Sequence, residues 1–435
     1  MKTHRKYEKI LLVGGGSVRW TPWAVCSMAV SESMRDCELT LYDIDAERLE
    51  STAELSRRML ARAYPEAGLT IRTSTSLDEC LGGQQVVIYQ VCVGGLKTEL
   101  TLMDVLRDKH GIENTIFTTG PASPVYVAIQ APPLLALVEK MQQLCPEAIL
   151  INQSNPLPAL HRLVERTSNV EVFSYCFGSR NSLRGIADTF QIDRARVKME
   201  MTGADHVGVA TQILIDGEDR YAEFIDTLAR EGYVDQAEWG RVTPPADLAR
   251  QWGYYFNVTH ATDMFREAYT HDIIDSRITG DCLGHITYRE NFDEMVCQYA
   301  DGRDSEFAPP GEIDDSFVWL ECLAGSYDKG NLHWVNLTNN GLAREMPDWA
   351  VLELECYIDE RGIRPLRPAV AMPEFVAEMN RHHLASLELA VTACLQRDRR
   401  KLVEAIAMTP HLDDPRDAAK VYDNCKTAMG DLLPF

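Results

Sequence analysis

KILLVGGGSVRW, residues 9–20, is the stretch whose reading decides the fold. An apolar run from Ile10 to Val13 breaks into three glycines, Gly14, Gly15 and Gly16, then into Ser17, Val18 and Arg19 at the start of an expected helix. A strand that turns into a helix through glycine aims backbone N–H groups and the positive end of the helix dipole at one point, where a pyrophosphate can sit. Two dozen residues on, LTLYDID places Asp43 at the end of a second strand. There a carboxylate binds the ribose hydroxyl pair of NAD and repels the 2′-phosphate of NADP. The expected site is therefore Gly14, Gly16, Ser17, Val18 and Arg19 for the dinucleotide, with Asp43 on the adenosine ribose. The fingerprint departs from G-x-G-x-x-G in one place, since Arg19 stands at the third glycine. A tight strand–helix turn without ligand is the bland alternative, and the strand, helix and acid in register argue against it.

At 435 residues the chain has room for two domains or three, and its hydrophobic fraction of 45% is that of a soluble globular protein. A formal net charge of −22 excludes nucleic acid and anionic membrane surfaces as natural partners, because both would be repelled. A local basic pocket for an anionic substrate stays compatible with that charge. The twelve cysteines show no paired spacing, and Cys26, Cys92, Cys145 and Cys297 sit in apolar surroundings where a thiol is a small hydrophobe. The basic start MKTHRKYEKI leads into only four apolar residues, too few for a signal peptide or a membrane span. A cytoplasmic protein is expected.

Working outward, strand-like runs recur at 10–13, 38–42, 69–74, 85–91, 148–153 and 170–176, with helical spacing over Asp45–Tyr64 and Val125–Leu144. That alternation predicts a doubly wound parallel sheet, a Rossmann domain over 1–196, with its ligand crevice at the carboxyl ends of the strands. From Val197 the pattern changes to strands around a turn at Asp216–Gly217, then to helices over Pro245–Tyr269 and Pro373–Met408. A mixed α+β domain over 197–435 is expected, packed onto the first.

Three constellations carry chemistry. NQSNPLP (152–158) leaves a strand at the ligand edge, so Asn152 and Asn155 either close an Asx-turn or bond sugar and nicotinamide oxygens. Cys176 ends the strand SYC, and His206 follows in GADHVGVA. Each alone reads as a buried thiol or a core histidine; together they suit a borderline divalent ion whose shell substrate oxygens complete. WGYYFNVTHATDMF (252–265) offers Tyr254, Tyr255, His260 and Asp263 for proton transfer, or simply aromatic packing on a helix.

The order of these motifs is more telling than any one of them. GGGS, DID, VGGL at 93–96, TTGP at 118–121, NxSNP, the strand-end cysteine and G-x-D-H come in series, and VNLTNNGLAREMPDWAVLELECYIDERGIRPL (335–366) follows. The series resembles glycoside hydrolase family 4, the NAD- and divalent-metal-dependent glycosidases, and sister groups such as the NAD-dependent sulfoquinovosidases. The resemblance implies a lactate/malate dehydrogenase-like fold and a closed redox cycle. Hydride leaves carbon 3 of the sugar for NAD⁺, a metal held by Cys176 and His206 acidifies the proton on carbon 2, and a base removes it. The aglycone is eliminated from carbon 1, water adds, and the hydride returns. It further implies Tyr255, or else Tyr254, as the base, Asn155 on the sugar hydroxyls, Gly94 and Gly95 along the cofactor, and Mn²⁺ as the metal. A homodimer or homotetramer acting on a small glycoside is expected.

Three positions depart from the family pattern. Phe177 follows the metal cysteine where His, Asp or Asn is usual; Cys92 stands where the phospho-sugar members have arginine; TTGPGG reads TTGPAS. These departures point away from 6-phosphoglycosides, towards a sulfoquinovoside or another anionic or neutral hexoside, with Lys97, Arg180 and Arg184 as cations for an anionic head or as solvated charges. Two other readings compete: a lactate/malate-type dehydrogenase consuming NAD stoichiometrically, and an inactive NAD-binding sensor.

Overall fold

Lys9–Val13 forms β1, and it pairs in parallel on both sides, with β2 (Glu38–Tyr42) and with β4 (Val86–Tyr89). Leu11 and Val13 face one core while Ile10 and Leu12 face another, all at or below 3% exposure. A strand buried on both faces belongs inside a layered α/β sheet, which is why its sequence is continuously apolar rather than alternating. In this computed structural model residues 5–17, 20–112, 118–231, 233–235, 240–242, 244–256, 315–327 and 329–435 are described.

With β3 (Thr70–Ser74), β5 (Ile149–Asn152) and β6 (Val172–Ser174), the parallel strands run in the order β3-β2-β1-β4-β5-β6. This is the dinucleotide-binding order, with its switch point between β1 and β4. The linking helices are α1 (Trp20–Val30), α2 (Ala46–Ala63), α3 (Leu77–Leu81), α4 (Leu96–His110), α5 (Ala122–Leu144) and α6 (Leu157–Thr167). Helix α2 starts where Asp45 accepts the Arg48 N–H, a side-chain N-cap, and its apolar positions face the sheet. Helix α5 is apolar enough and long enough to cross a membrane by composition, but 72% of that stretch is buried inside the fold.

The chain then leaves the sheet. After α7 (Gly178–Phe190), strands β7 (Val197–Thr202), β8 (Val209–Ile215) and β9 (Glu218–Asp219) form an antiparallel meander with β12 (Tyr255–Phe256). The turn expected at Asp216–Gly217 is there, both residues at positive φ. Helices α8 (Tyr221–Glu231) and α9 (Pro244–Trp252) cover the meander, and β10 (Tyr233–Asp235) pairs with β11 (Gly240–Val242).

Two expectations need correction. The helix predicted over Pro245–Tyr269 stops at Trp252: Gly253 takes φ +71, and Tyr255–Phe256 pair as a strand with Ala210 and Val209. The helix predicted over Pro373–Met408 is two helices, α11 (Glu374–Gln396) and α12 (Arg399–Ala407), broken at Arg397 with φ +53 and restarted by the Asp398 side chain accepting the Arg400 and Lys401 N–H groups. The division into 1–196 and 197–435 is one of sequence more than of space. Strands β13 (Leu332–Thr338), β14 (Val351–Asp359) and β15 (Gly362–Pro365) extend the parallel sheet antiparallel beyond β6, giving nine strands. Helix α10 (Asp315–Ala324) shares one core with β1, and α11, α12 and α13 (Ala418–Met429) share the other with α4, α5 and α6.

Candidate active site

The carboxyl ends of β1, β4, β5 and β6 open on one edge, and the loop between β7 and β8 returns to it. At the end of β1 the N–H groups of Gly14 and Gly15 both donate to the Tyr42 carbonyl (2.9 and 2.8 Å). A Cβ on Gly14, at φ +94, would stand 2.1 Å from the Gln90 carbonyl oxygen, and one on Gly15 would stand 2.8 Å from Leu41 Cβ. Only glycine lets the turn lie this close to β2 and β4. Ser17 then accepts from Thr21 N through its carbonyl and from Trp20 N through Oγ, capping α1. Asp43 stands where the sequence reading put it: Oδ2 accepts the Gly16 N–H at 2.9 Å, and Oδ1 accepts from Asp45 N. Gly94 and Gly95, at φ +74 and +66, form the turn from β4 into α4, and a Cβ at Gly95 would meet nothing within 4 Å. The glycine turn, capped helix and strand-end acid fit a dinucleotide. Val18 and Arg19 lie outside the described residues.

The second half of the site is a cluster of metal-binding side chains. Cys176 follows β6, and His206 lies in the β7–β8 loop with its Nε2 3.4 Å from the Cys176 Sγ. Asp205 joins them, its Oδ2 3.4 Å from the same Nε2, and one donor atom from each residue lies within 4.8 Å of the others. Two donors that share one ion, at ~2.3 Å to sulfur and ~2.1 Å to nitrogen or oxygen, stand about 3–3.5 Å apart. The cluster therefore fits a divalent ion, with a donor set of sulfur, imidazole nitrogen and carboxylate oxygen that suits the borderline first-row metals.

The loop that carries two of these groups is held from behind. Gly203 bridges to Glu353 on β14, whose N–H donates to the Gly203 carbonyl at 2.8 Å. Asn380 of α11, fully buried, accepts the Ala204 N–H at 2.7 Å and donates to the Val207 carbonyl at 3.1 Å. Gly203 and Gly208 are pressed together: a Cβ on the former would be 2.6 Å from the Cα of the latter. His206 sits at φ +69, a conformation that costs a non-glycine residue energy and persists only where surroundings enforce it.

Electrostatically the site is a cluster of buried acids. Burial, then the charges of Asp205 and Glu353, push the Cys176 thiol pKa well up. Burial and Glu353 do the same to the Asp205 carboxyl, and burial raises Glu353 itself to about 7 against a hydrogen bond from Ser179. Each of these shifts opposes negative charge, and a bound dication reverses that opposition. Several buried polar atoms here have no hydrogen-bond partner among the described residues: Asp205 Oδ1, Glu353 Oε2, Asn155 Oδ1 and both amide atoms of Asn336. Asn336, 1% exposed on β13, pairs directly with Ser174, two residues before Cys176. Such orphans are rare in native proteins and mark places where a polar ligand or ordered water completes the bonding.

Not every expected site residue is free to act. Asn152 is fully buried and spends its amide on the turn, Oδ1 accepting from Ser154 N and Nδ2 donating to the Ser154 carbonyl and Ser174 Oγ. It closes an Asx-turn and bonds across from β5 to β6, the first of the two alternatives the sequence left open for it. Tyr255, also at 0% exposure, packs edge-on against Phe224 and donates its hydroxyl to the Ser182 carbonyl at 3.0 Å. Its phenol belongs to the meander's core rather than to an open base. Tyr254 is half-buried, T-shaped against Phe256. His260 and Asp263 lie outside the described residues. Sequence reasoning passed over Asp205, Asn336, Glu353 and Asn380.

We expect Asp43→Ala to weaken NAD binding by ~1–3 kcal/mol, the scale of a lost hydrogen bond to a charged group, while metal binding is unchanged. Calorimetric titration with NAD checks this, and an unaltered affinity would remove Asp43 from the cofactor site.

Two family descriptions match the chain: family 4 glycosyl hydrolase over residues 9–190, and the family 4 glycosyl hydrolase C-terminal domain over 201–412. An α-galactosidase of Bacillus subtilis (strain 168) is 22% identical over 442 residues, covering 98% of this chain and 99% of its own. An α-galacturonidase of Lachnoclostridium phytofermentans is 23% identical over 458 residues, covering 98% and 97%. Among solved structures, a 6-phospho-α-glucosidase from gut microorganisms superposes with a TM-score of 0.83 at 21% identity in its complex with NAD and glucose-6-phosphate, covering 99% of each chain. Its complex with NAD and Mn²⁺ gives 0.80 at 20% identity, with the same coverage.

Proposed function

This chain belongs to glycosyl hydrolase family 4, an NAD- and divalent-metal-dependent class of glycoside hydrolases, and on that footing we propose that it cleaves hexosides that lack a 6-phosphate. The observation that carries the substrate reading is at Cys92, the position where phospho-sugar members have arginine. Its thiol lies 3.2 Å from Glu99 Oε1 and 3.1 Å from the Tyr126 hydroxyl, which also bonds Glu99. Glu99 lies beside this thiol, so a phosphate there would meet a carboxylate in place of a guanidinium.

A second feature bears on the aglycone. Phe177 stacks on Trp20 (centroids 5.5 Å apart, 15° between planes) and meets Trp23 and Tyr175 edge-on. Directly after Cys176 the site thus presents an apolar wall rather than an acid, which favours aromatic or otherwise good leaving groups that need no proton.

NAD supplies the hydride acceptor and donor for carbon 3, and a divalent metal such as Mn²⁺ supplies Lewis acidity beside carbons 2 and 3. The chain's own residues do the rest. Gly14–Gly16, Ser17 and Asp43 seat the dinucleotide; Cys176 and His206 hold the metal; Asn155, whose buried Oδ1 has no hydrogen-bond partner among the described residues, takes a sugar hydroxyl. Tyr254 keeps the part of base, since the Tyr255 hydroxyl is bound inside the core. The dehydrogenase and inactive-sensor readings give way to the family match along nearly the whole chain. A homo-oligomer in a reducing, cytoplasmic compartment goes with this reading. The ten cysteines among the described residues are all free thiols, which supports the compartment.

A panel of aryl α- and β-glycosides tests the substrate, assayed with NAD⁺ and Mn²⁺: glucoside, galactoside, glucuronide, sulfoquinovoside and 6-phosphoglucoside. Turnover of at least one unphosphorylated sugar should exceed that of the 6-phosphoglucoside by ~100-fold or more, the ~3 kcal/mol that a mismatched charge readily costs. A preference for the 6-phosphoglucoside would overturn the proposal.

A further inference from the structure

We propose that Asp205 is a third protein ligand to the metal, so that the ion is resident before sugar arrives; this rests on the reading of Cys176 and His206 as its ligands. A site with two protein donors depends on substrate oxygens to complete the shell and binds its ion weakly alone. A site with three holds it in the free enzyme and keeps its remaining positions for the sugar.

The backbone supports the assignment first. Neighbouring side chains on an extended chain point to opposite sides, so consecutive residues do not ordinarily reach one ion. Here φ +69 at His206 reverses the chain direction, and the Asp205 carboxylate and the His206 ring converge to 3.4 Å. The glycine pair at 203 and 208 and the two-ended grip of Asn380 hold that reversed turn in place. A loop needed only to aim the histidine would not have to bring its neighbour to the same point.

Charge supports it second. Asp205 is 3% exposed, and among the described residues its ion-pair partner is His206 rather than a lysine or arginine. Its Oδ1 has no hydrogen-bond partner among them. A carboxylate buried without a cation is costly, and so is a dication facing a single thiolate. One thiolate and one carboxylate about a dication make the group neutral, which resolves both costs together.

The test uses the NAD-loaded, sugar-free enzyme and Mn²⁺ alone, titrated by calorimetry and by loss of the free-ion EPR signal. Asp205→Asn keeps the shape and removes the charge; it should weaken Mn²⁺ binding ~30-fold or more, as expected where affinity follows ligand charge, with NAD affinity and melting temperature kept. With Co²⁺ in its place, the thiolate-to-metal absorption band should persist in Asp205→Asn at saturating metal and vanish in Cys176→Ser. Mn²⁺ affinity in Asp205→Asn within about threefold of the parent would overturn the third ligand while leaving the Cys176–His206 reading intact. A parent enzyme indifferent to Cys176→Ser would overturn that reading as well.

Discussion

Cys176→Ser and His206→Ala should each leave NAD bound and reduce glycoside turnover by ~10³-fold or more, the rate equivalent of the several kcal/mol a Lewis acid supplies to a developing enediolate. The two substitutions should behave alike because they remove the same ion rather than two separate functions. The proton on carbon 2 is too weakly acidic to leave until an oxidised carbon 3 and a nearby cation stabilise the anion. With the cation lost, oxidation at carbon 3 can still occur and elimination cannot follow. Chelation should reproduce the effect reversibly and without unfolding, because the cluster lies at the edge of a sheet whose cores stand without it, unlike a closed structural zinc site. Circular dichroism and NAD titration separate the outcomes. Full activity in enzyme shown to be metal-free would mean that protein donors alone polarise the ketone.

The parallel half of the fold was legible in the sequence because most of its strands are short, largely apolar runs ended by glycine or polar residues, and all six are present, even the half-exposed TIRTS of β3. What followed Val197 was less so. The break between α11 and α12 falls on Arg397, a residue with no bias toward positive φ, so the periodic pattern runs straight through it. Gly253 did carry a stop signal, as a glycine inside a helical pattern can. The dense aromatics after it read as helix spacing and obscured the signal. Strands β13–β15 close onto β6 across some 160 residues of chain, and nothing local in a sequence specifies that pairing.

The site divides in the same way. Gly14, Gly16 and Asp43 stand at strand ends, where a glycine turn and a strand-end acid mark them; Cys176 and His206 read singly as a buried thiol and a core histidine, and only the motif series singled them out as a pair. Asp205 did not stand out because side-chain alternation turns it away from its neighbour, and only the φ of His206 brings it back. Asn336 and Glu353 lie in strands that read as ordinary sheet, and their significance is that they are buried with polar atoms unpartnered among the described residues. Tyr255 misled in the opposite sense, as a reactive group by type that burial and the Ser182 carbonyl hold in the core.

Deuterium incorporation is the most direct test of the central claim, that this chain cleaves glycosides by oxidation and elimination rather than through an oxocarbenium ion. Elimination removes the proton from carbon 2, and the water-addition step must put one back from solvent. A conventional two-carboxylate route never breaks that bond. Hydrolysis in D₂O with NAD⁺ and Mn²⁺, followed by NMR of the released sugar, should show deuterium at carbon 2 in essentially every product molecule, with no net NADH formed. Active enzyme that releases sugar carrying only protium at carbon 2 would contradict the account.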